Sequence, residues 1–319
     1  MDEVKGQHAI AVVAVLAAGF CLAQVRPRPG WEDRSGLSGS LVRIEGGLVV
    51  NEDELQTARE TDTHSTGTPN WTNALGFERD VFTFARVIFK SDPARRSSRG
   101  NLRWLGWWVD YPDADLNFSY RLQQSTSIAT DPDARVLKLT DPKLSAYPLL
   151  YMEHAGYIRL SAREIVALRN YLLSGGVLLV NDFWGADEWE GFAGEMSKVL
   201  PGRAWTELTT EHPVFHAVFD LRGPMSGLQV PTIQFWNELH DPSDPQSRLQ
   251  RIYRGAGSEQ MHVRALFDDR QRILILAIHN SDVSDGWERE GENELYFRQF
   301  SEKVAYPLGI NVIFYLMTH

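Results

Sequence analysis

The chain has 319 residues, 43% of them apolar and 23% charged, with a formal net charge of −10. Such a composition suits a globular protein with a core of useful size. The acidic balance argues against nucleic-acid binding and against anionic membrane surfaces as partners.

The single cysteine, Cys21, falls inside the one strongly apolar run, Ala9 to Ala23. That run is short for a membrane span, which needs about 20 residues. With Lys5 before it and Cys21-Leu22-Ala23 as a small-x-small site, it predicts a signal peptide over 1–23 and export to the periplasm or medium. An uncleaved anchor is the other reading. Cleavage after Ala23 leaves a chain with no thiol, hence no disulfide, thiolate ligand or thiol nucleophile. Residues 24–80 read as a polar, partly irregular extension rich in Gly and Pro. Within it, Leu41 to Ile44 and Leu48 to Val50 are candidate short strands, and Glu52 to Glu60 one or two helical turns.

Residues 81–319 carry an α/β pattern. Phe82 to Phe89 is rich in β-formers and predicts a strand. Arg95, Arg96 and Arg99 lie in a Ser-rich loop, read as a solvated face. Asp115 to Gln124 predicts a helix. Val136 to Leu139 is a short strand, and Pro148 to Met152, Val177 to Val180 and Arg272 to Ile278 are near-continuous apolar runs, as buried parallel strands require. Ser161 and Glu164 form a capping-box pattern opening a helix to Leu173, which Gly175-Gly176 stops. Helices are also predicted over Glu188 to Leu200 and Glu302 to Met317, with Pro307 near the first turns of the latter. This alternation predicts a three-layer α/β sandwich with a mostly parallel sheet.

In such sheets ligands bind beyond the carboxyl ends of the strands. That rule gathers His154, Asp182, His279 and Asp282 as catalytic candidates. It gathers Asp110, Tyr111, Glu153, Asn181, Trp184, Asn280, Asp285 and Trp287 as binding candidates on one cleft. The chain has no H-E-x-x-H or H-x-H spacing, no G-x-S-x-G elbow and no phosphate loop, so no metal, cofactor or nucleotide is expected.

The segments WWVDYP, DPKLSAYPLLYM, YLLSGGVLLVNDF, EHPVFHAVF, NSDVSDGWE and LGINVIFYLMTH together resemble a bacterial domain-of-unknown-function family, number 4159, from about Asp80 to His319. The resemblance implies a class I glutamine amidotransferase-like, flavodoxin-type fold, and no assigned activity. Catalytic amidotransferases need a Cys on a sharp strand-to-helix turn, activated by His. Here Val177 to Val180 runs into Asn181-Asp182-Phe183-Trp184. The favoured expectation is therefore a non-catalytic module for a small molecule or an envelope protein. The alternative is an envelope hydrolase acting on carbohydrate or peptide, with or without a metal.

Overall fold

The computed structural model describes residues 40–44, 48–63, 65, 67–76, 80–92, 106–236 and 255–319. The apolar run over Ala9 to Ala23 and the loop of Arg95, Arg96 and Arg99 lie outside the described residues. Two ribbons stand apart from the main sheet: β1 (Leu41–Arg43) pairs with β2 (Val49–Asn51), and β4 (Lys90–Ser91) with β7 (Ile158–Arg159). The main sheet contains β3 (Ala85–Ile88), β5 (Arg135–Lys138), β6 (Leu149–Glu153), β8 (Val177–Asn181), β9 (Thr206–Leu208), β10 (His262–Phe267) and β11 (Ile273–His279). Its spatial order is β5-β3-β6-β8-β11-β10-β9.

Pairing is parallel from β5 through β11, and antiparallel for β10 and β9. The sheet is thus mostly parallel, and its antiparallel edge escaped the sequence reading. The reason lies in β10, whose His262 and Arg264 interrupt the apolar pattern because the strand is only partly buried. By contrast β6, β8 and β11 are buried at every position, and each ends on a polar residue: Glu153, Asn181 and His279. Glu153 is the register partner of Asn181, and Ala277 of Val180, so these strand ends lie level.

Helix α1 (Asp113–Ser125) follows β3, α2 (Ala162–Leu173) joins β6 to β8, and α3 (Gly185–Val199) follows β8. The chain leaves β3 for β5 on one side, whereas β6 lies on the other. The gap between β3 and β6 is therefore a topological switch point. The Ser161–Glu164 capping box is present in full, with the Ser161 N–H donating to Glu164 at 2.8 Å. Helix α3 starts three residues before the expected Glu188. The Trp184 N–H donates to the Glu188 carboxylate at 2.9 Å, capping a turn that the sequence pattern hid.

The expected terminal helix is longer and composite. A π-helical segment, Phe297–Ala305, runs into an α-helix, Tyr306–Thr318, with Pro307 in its first turn, where a missing N–H is tolerated. The expected turns over Glu52 to Glu60 reduce to a 3-10 turn at Ala58–Glu60. The extension docks on the sheet edge, with the Ala58 N–H donating to Asp133 O and the Val136 N–H to Gln56 O, both at 2.9 Å.

Beneath the terminal helix, Phe118 and Trp287 pack with ring centroids 4.4 Å apart. Gly309 lets them do so: a Cβ there would lie 2.6 Å from each ring. Overpacking of this kind costs about 1–3 kcal/mol. Gly309→Ala is expected to lower the denaturant midpoint accordingly, with an unchanged m-value.

Candidate functional site

The site is built around Arg86, a fully buried guanidinium in the middle of β3. Its Nε donates to both Asp115 oxygens, at 2.9 and 3.0 Å, and Nη2 donates to the same carboxylate at 2.5 Å. Nη2 also contacts Glu153 at 3.0 Å. Nη1 donates to Trp107 O and Val109 O, at 2.9 and 3.0 Å, which holds the loop leading to Asp110. Burial opposes the charge, but Asp115 and Glu153 more than offset it, and the Arg86 pKa is raised.

Further carboxylates gather on the switch-point side. In one group an oxygen from each of Asp110, Glu153 and Asp282 lies within 4.8 Å of the others. In a second, Asp110, Asp285 and Glu288 do the same. All five are buried. Hydroxyls and amides order them. Ser284 donates to Glu153, and Asn181 Nδ2 donates to Ser284 at 2.7 Å. Thr232 donates to Asp282 at 2.5 Å, and the Asp285 N–H donates to Asp282 at 3.1 Å. Arg289 pairs with Asp285 at 3.2 Å and with Glu288 at 2.5 Å. Burial, then the Asp110 carboxylate, holds Glu153 well above the usual carboxylate range. The same two causes push Asp285 up to about 7, with Arg289 acting against them.

The rim backbone is strained. Asp110, His154, Asp182 and Asn280 have φ of 55°, 53°, 50° and 60°. His154, Asp182 and Asn280 each follow a strand directly, and Asp110 precedes α1. Left-handed non-glycine residues are uncommon and cluster at functional sites.

The structure brings together Asp110, Glu153, Asp282 and Asp285, with Asn181 as an amide support. Asp182 lies close enough to disfavour the charge on Glu153 and Asp285, and its Oδ1 accepts from Trp184 Nε1 at 2.6 Å. Four expectations need correction. His279 faces away into an aromatic cluster, 4.9 Å from the Phe183 ring and 5.5 Å from the Trp189 ring. Its Nε2 bonds Gly185 O at 3.0 Å and its Nδ1 accepts from Arg264 at 3.2 Å, so neither nitrogen is left for catalysis. Trp287 is core, packed on Phe118 and Tyr151, rather than a ligand platform. Tyr111 is buried as well, its hydroxyl donating to Thr57 O at 3.0 Å. Asn280 is a staple: its Oδ1 accepts from Gly185 N at 2.8 Å, and its Nδ2 donates to Gly257 O and Gln260 O, each at 2.7 Å.

The expected open cleft is also absent among these residues, which are at most 4% exposed. Segments 229–233 and 281–289 fold over the rim, tied by Thr232 to Asp282, by Ile233 N–H to Asp285, and by Asp282 N–H to Val230 O at 2.9 Å. Sequence reasoning missed Arg86, Asp115 and Glu288. A lone Arg inside the apolar run FTFARVIF was the available signal for the first. The other two sit among helical residues where acidic side chains are ordinarily solvated.

The family described as Domain of unknown function (DUF4159) matches residues 100–317. No curated protein matches the chain.

Two measurements test the site as a piece of structure. Arg86→Met leaves Asp115 and Glu153 buried without their cation, and such a break costs about 3–5 kcal/mol; urea unfolding should read that loss. Burial, aided by Arg264 and opposed by the Gly185 carbonyl, pushes the His279 imidazolium down to about 3. A depressed folded pKa stabilises above the unfolded value near 6.5 and is lost as pH falls toward 3. Asp285 works with the opposite sign, so the comparison must be a difference. Wild type should lose up to ~4 kcal/mol relative to His279→Gln between pH about 6.5 and 3. Parallel pH profiles would show that His279 is not buried as described.

Proposed function

The chain belongs to the DUF4159 family, whose description leaves function open, and from that premise we propose that it is an exported binding module. In this reading it has an amidotransferase-like, flavodoxin-type fold without the nucleophile, and it holds a small molecule or an envelope protein at the acidic rim of the sheet. The observation that carries the reading is the convergence of four left-handed residues, Asp110, His154, Asp182 and Asn280, on the carboxyl ends of the parallel strands. Backbone strain of about 1–3 kcal/mol per residue persists where the surroundings enforce it, typically at sites that engage a ligand. The switch point between β3 and β6 is where open α/β sheets bind ligands.

Support for a non-catalytic role comes from the turn after β8. In the amidotransferase-like reading a Cys would be expected on such a turn; this one reads Asn181-Asp182-Phe183-Trp184, and the only thiol of the chain is Cys21. His279, one of the two imidazoles among the catalytic candidates, is bonded to Gly185 and Arg264 instead. Export rests on the apolar run ending at Ala23. One observation favours the alternative, an envelope hydrolase: a carboxyl group near neutrality, Asp285, could donate or accept a proton at pH 7.

Native mass spectrometry of protein purified from the envelope tests the binding reading. Wild type should retain a non-covalent mass, and its N-terminus should begin after Ala23. Asp182→Asn, tolerated in the left-handed region, should fold normally and lose that mass. Turnover of ester, glycoside or peptide substrates by wild type, abolished in Asp182→Asn, would replace this reading with the hydrolase.

A further inference from the structure

We infer that the carboxylates at the switch point are the coordination shell of a divalent cation of the hard, oxygen-seeking class, with Asp110 as the ligand common to two adjoining triads. The inference deepens the binding reading and rests on it, since the cation would form the floor on which the ligand is held.

The first observation is geometric. Asp110–Glu153–Asp282 and Asp110–Asp285–Glu288 each place one oxygen per residue within 4.8 Å of the others. That spread matches oxygens arranged about a single ion at 2.3–2.6 Å, the distance typical of calcium. The second observation is independent of proximity. Asp110 Oδ2 is buried with no N–H donor, in a residue 4% exposed whose one side-chain hydrogen-bonding neighbour is another carboxyl, Glu153, a contact that needs a proton or a cation between the two groups. A buried carboxylate oxygen without a donor is rare, because its lost hydration is otherwise replaced by an N–H, an O–H or a metal. This oxygen belongs to the residue that both triads share.

Charge points the same way. Arg86 is largely committed to Asp115, and Arg289 to Asp285 and Glu288. These two guanidinium groups face six buried carboxylates, Asp110, Asp115, Glu153, Asp282, Asp285 and Glu288, and cannot neutralise them all. The balance must come from bound protons or from a cation. The ligand set chooses the cation. It is carboxylate oxygen with the Ser284 hydroxyl alongside, and it contains no sulfur and no imidazole. Such sets favour Ca²⁺, Mn²⁺ or Mg²⁺ over Zn²⁺ and Cu²⁺. Three protein carboxylates in a buried site suit Ca²⁺ or Mn²⁺. Mg²⁺ prefers to keep several waters and one or two carboxylates.

The test uses the full chain, stripped with a chelator and dialysed. Calcium chloride and manganese chloride are titrated separately by calorimetry, with sodium chloride at equal ionic strength as control. Saturable binding of at least one ion is expected, together with a rise in unfolding temperature of at least roughly 4 °C at saturation. Asp110→Asn keeps the shape and the left-handed preference of the residue. It should weaken binding by at least about tenfold, since even losing an outer-shell partner costs that much. If Asp110→Asn does not fold, by circular dichroism, Asp285→Asn serves in its place with the same expectation. No saturable heat with either ion, or equal affinity in wild type and a folded variant, would overturn the inference and leave protons as the neutralising charge. A retained organic mass that still disappears in Asp182→Asn would then stand, so the binding reading fails or survives separately.

Discussion

The domain is organised around a guanidinium that has no access to water. Arg86 rises from the middle of β3 and is met by α1 through Asp115, by β6 through Glu153, and by the loop before Asp110 through two carbonyls. Three separate parts of the chain therefore share one cation. Tyr151 and Tyr111 lie 5.1 and 5.7 Å from the same group and add cation–π contact. A buried ion pair is weak evidence for net stability, because desolvation offsets much of the attraction. Its stronger effect is on geometry: only one arrangement of β3, β6 and α1 keeps these groups paired. That arrangement gathers the carboxylates at the β3–β6 switch point.

The rim follows from strand chemistry. Arg86 apart, the strands buried on both faces carry their charged and amide side chains at their ends, and β6, β8 and β11 do so at Glu153, Asn181 and His279. Level register then makes neighbours of residues far apart in sequence. The covering segments are held down by the same side chains: Asp282 takes Thr232, and Asp285 takes the Ile233 N–H. Charge is thus concentrated where it is least hydrated, the condition under which carboxylates shift toward protonation or bind cations.

Much of this was legible in the sequence, for identifiable reasons. Ser161 and Glu164 announced α2 because the capping box is a local motif. The strands β6, β8 and β11 were legible because double burial removes polar residues from a run. The set Asp110, Glu153, Asn181, Asp182, Asp282 and Asp285 was legible because the strand-end rule needs only the strands. The direction of a side chain at the rim was not legible: His279 turns from the carboxylates toward Phe183 and Arg264, which no spacing encodes. Trp184 and Trp287 looked like loop residues offering ring faces, yet each is nearly inaccessible. Arg86 was hidden by the averaging that makes an apolar run recognisable. The edge strand β10 was hidden by its own half-exposed pattern.

Asn280 carries a consequence for how the protein breathes. One amide side chain joins the entry of α3 to the backbone at Gly257 and Gln260. Opening any of these parts severs bonds in the others, so they form one cooperative unit in the sense of native-state hydrogen exchange. Amides there are held to a shared opening free energy rather than a graded series of loop fluctuations. Traffic to the rim on this side then depends on a rare concerted opening, and exchange of whatever lies beneath would be slow even where equilibrium affinity is modest.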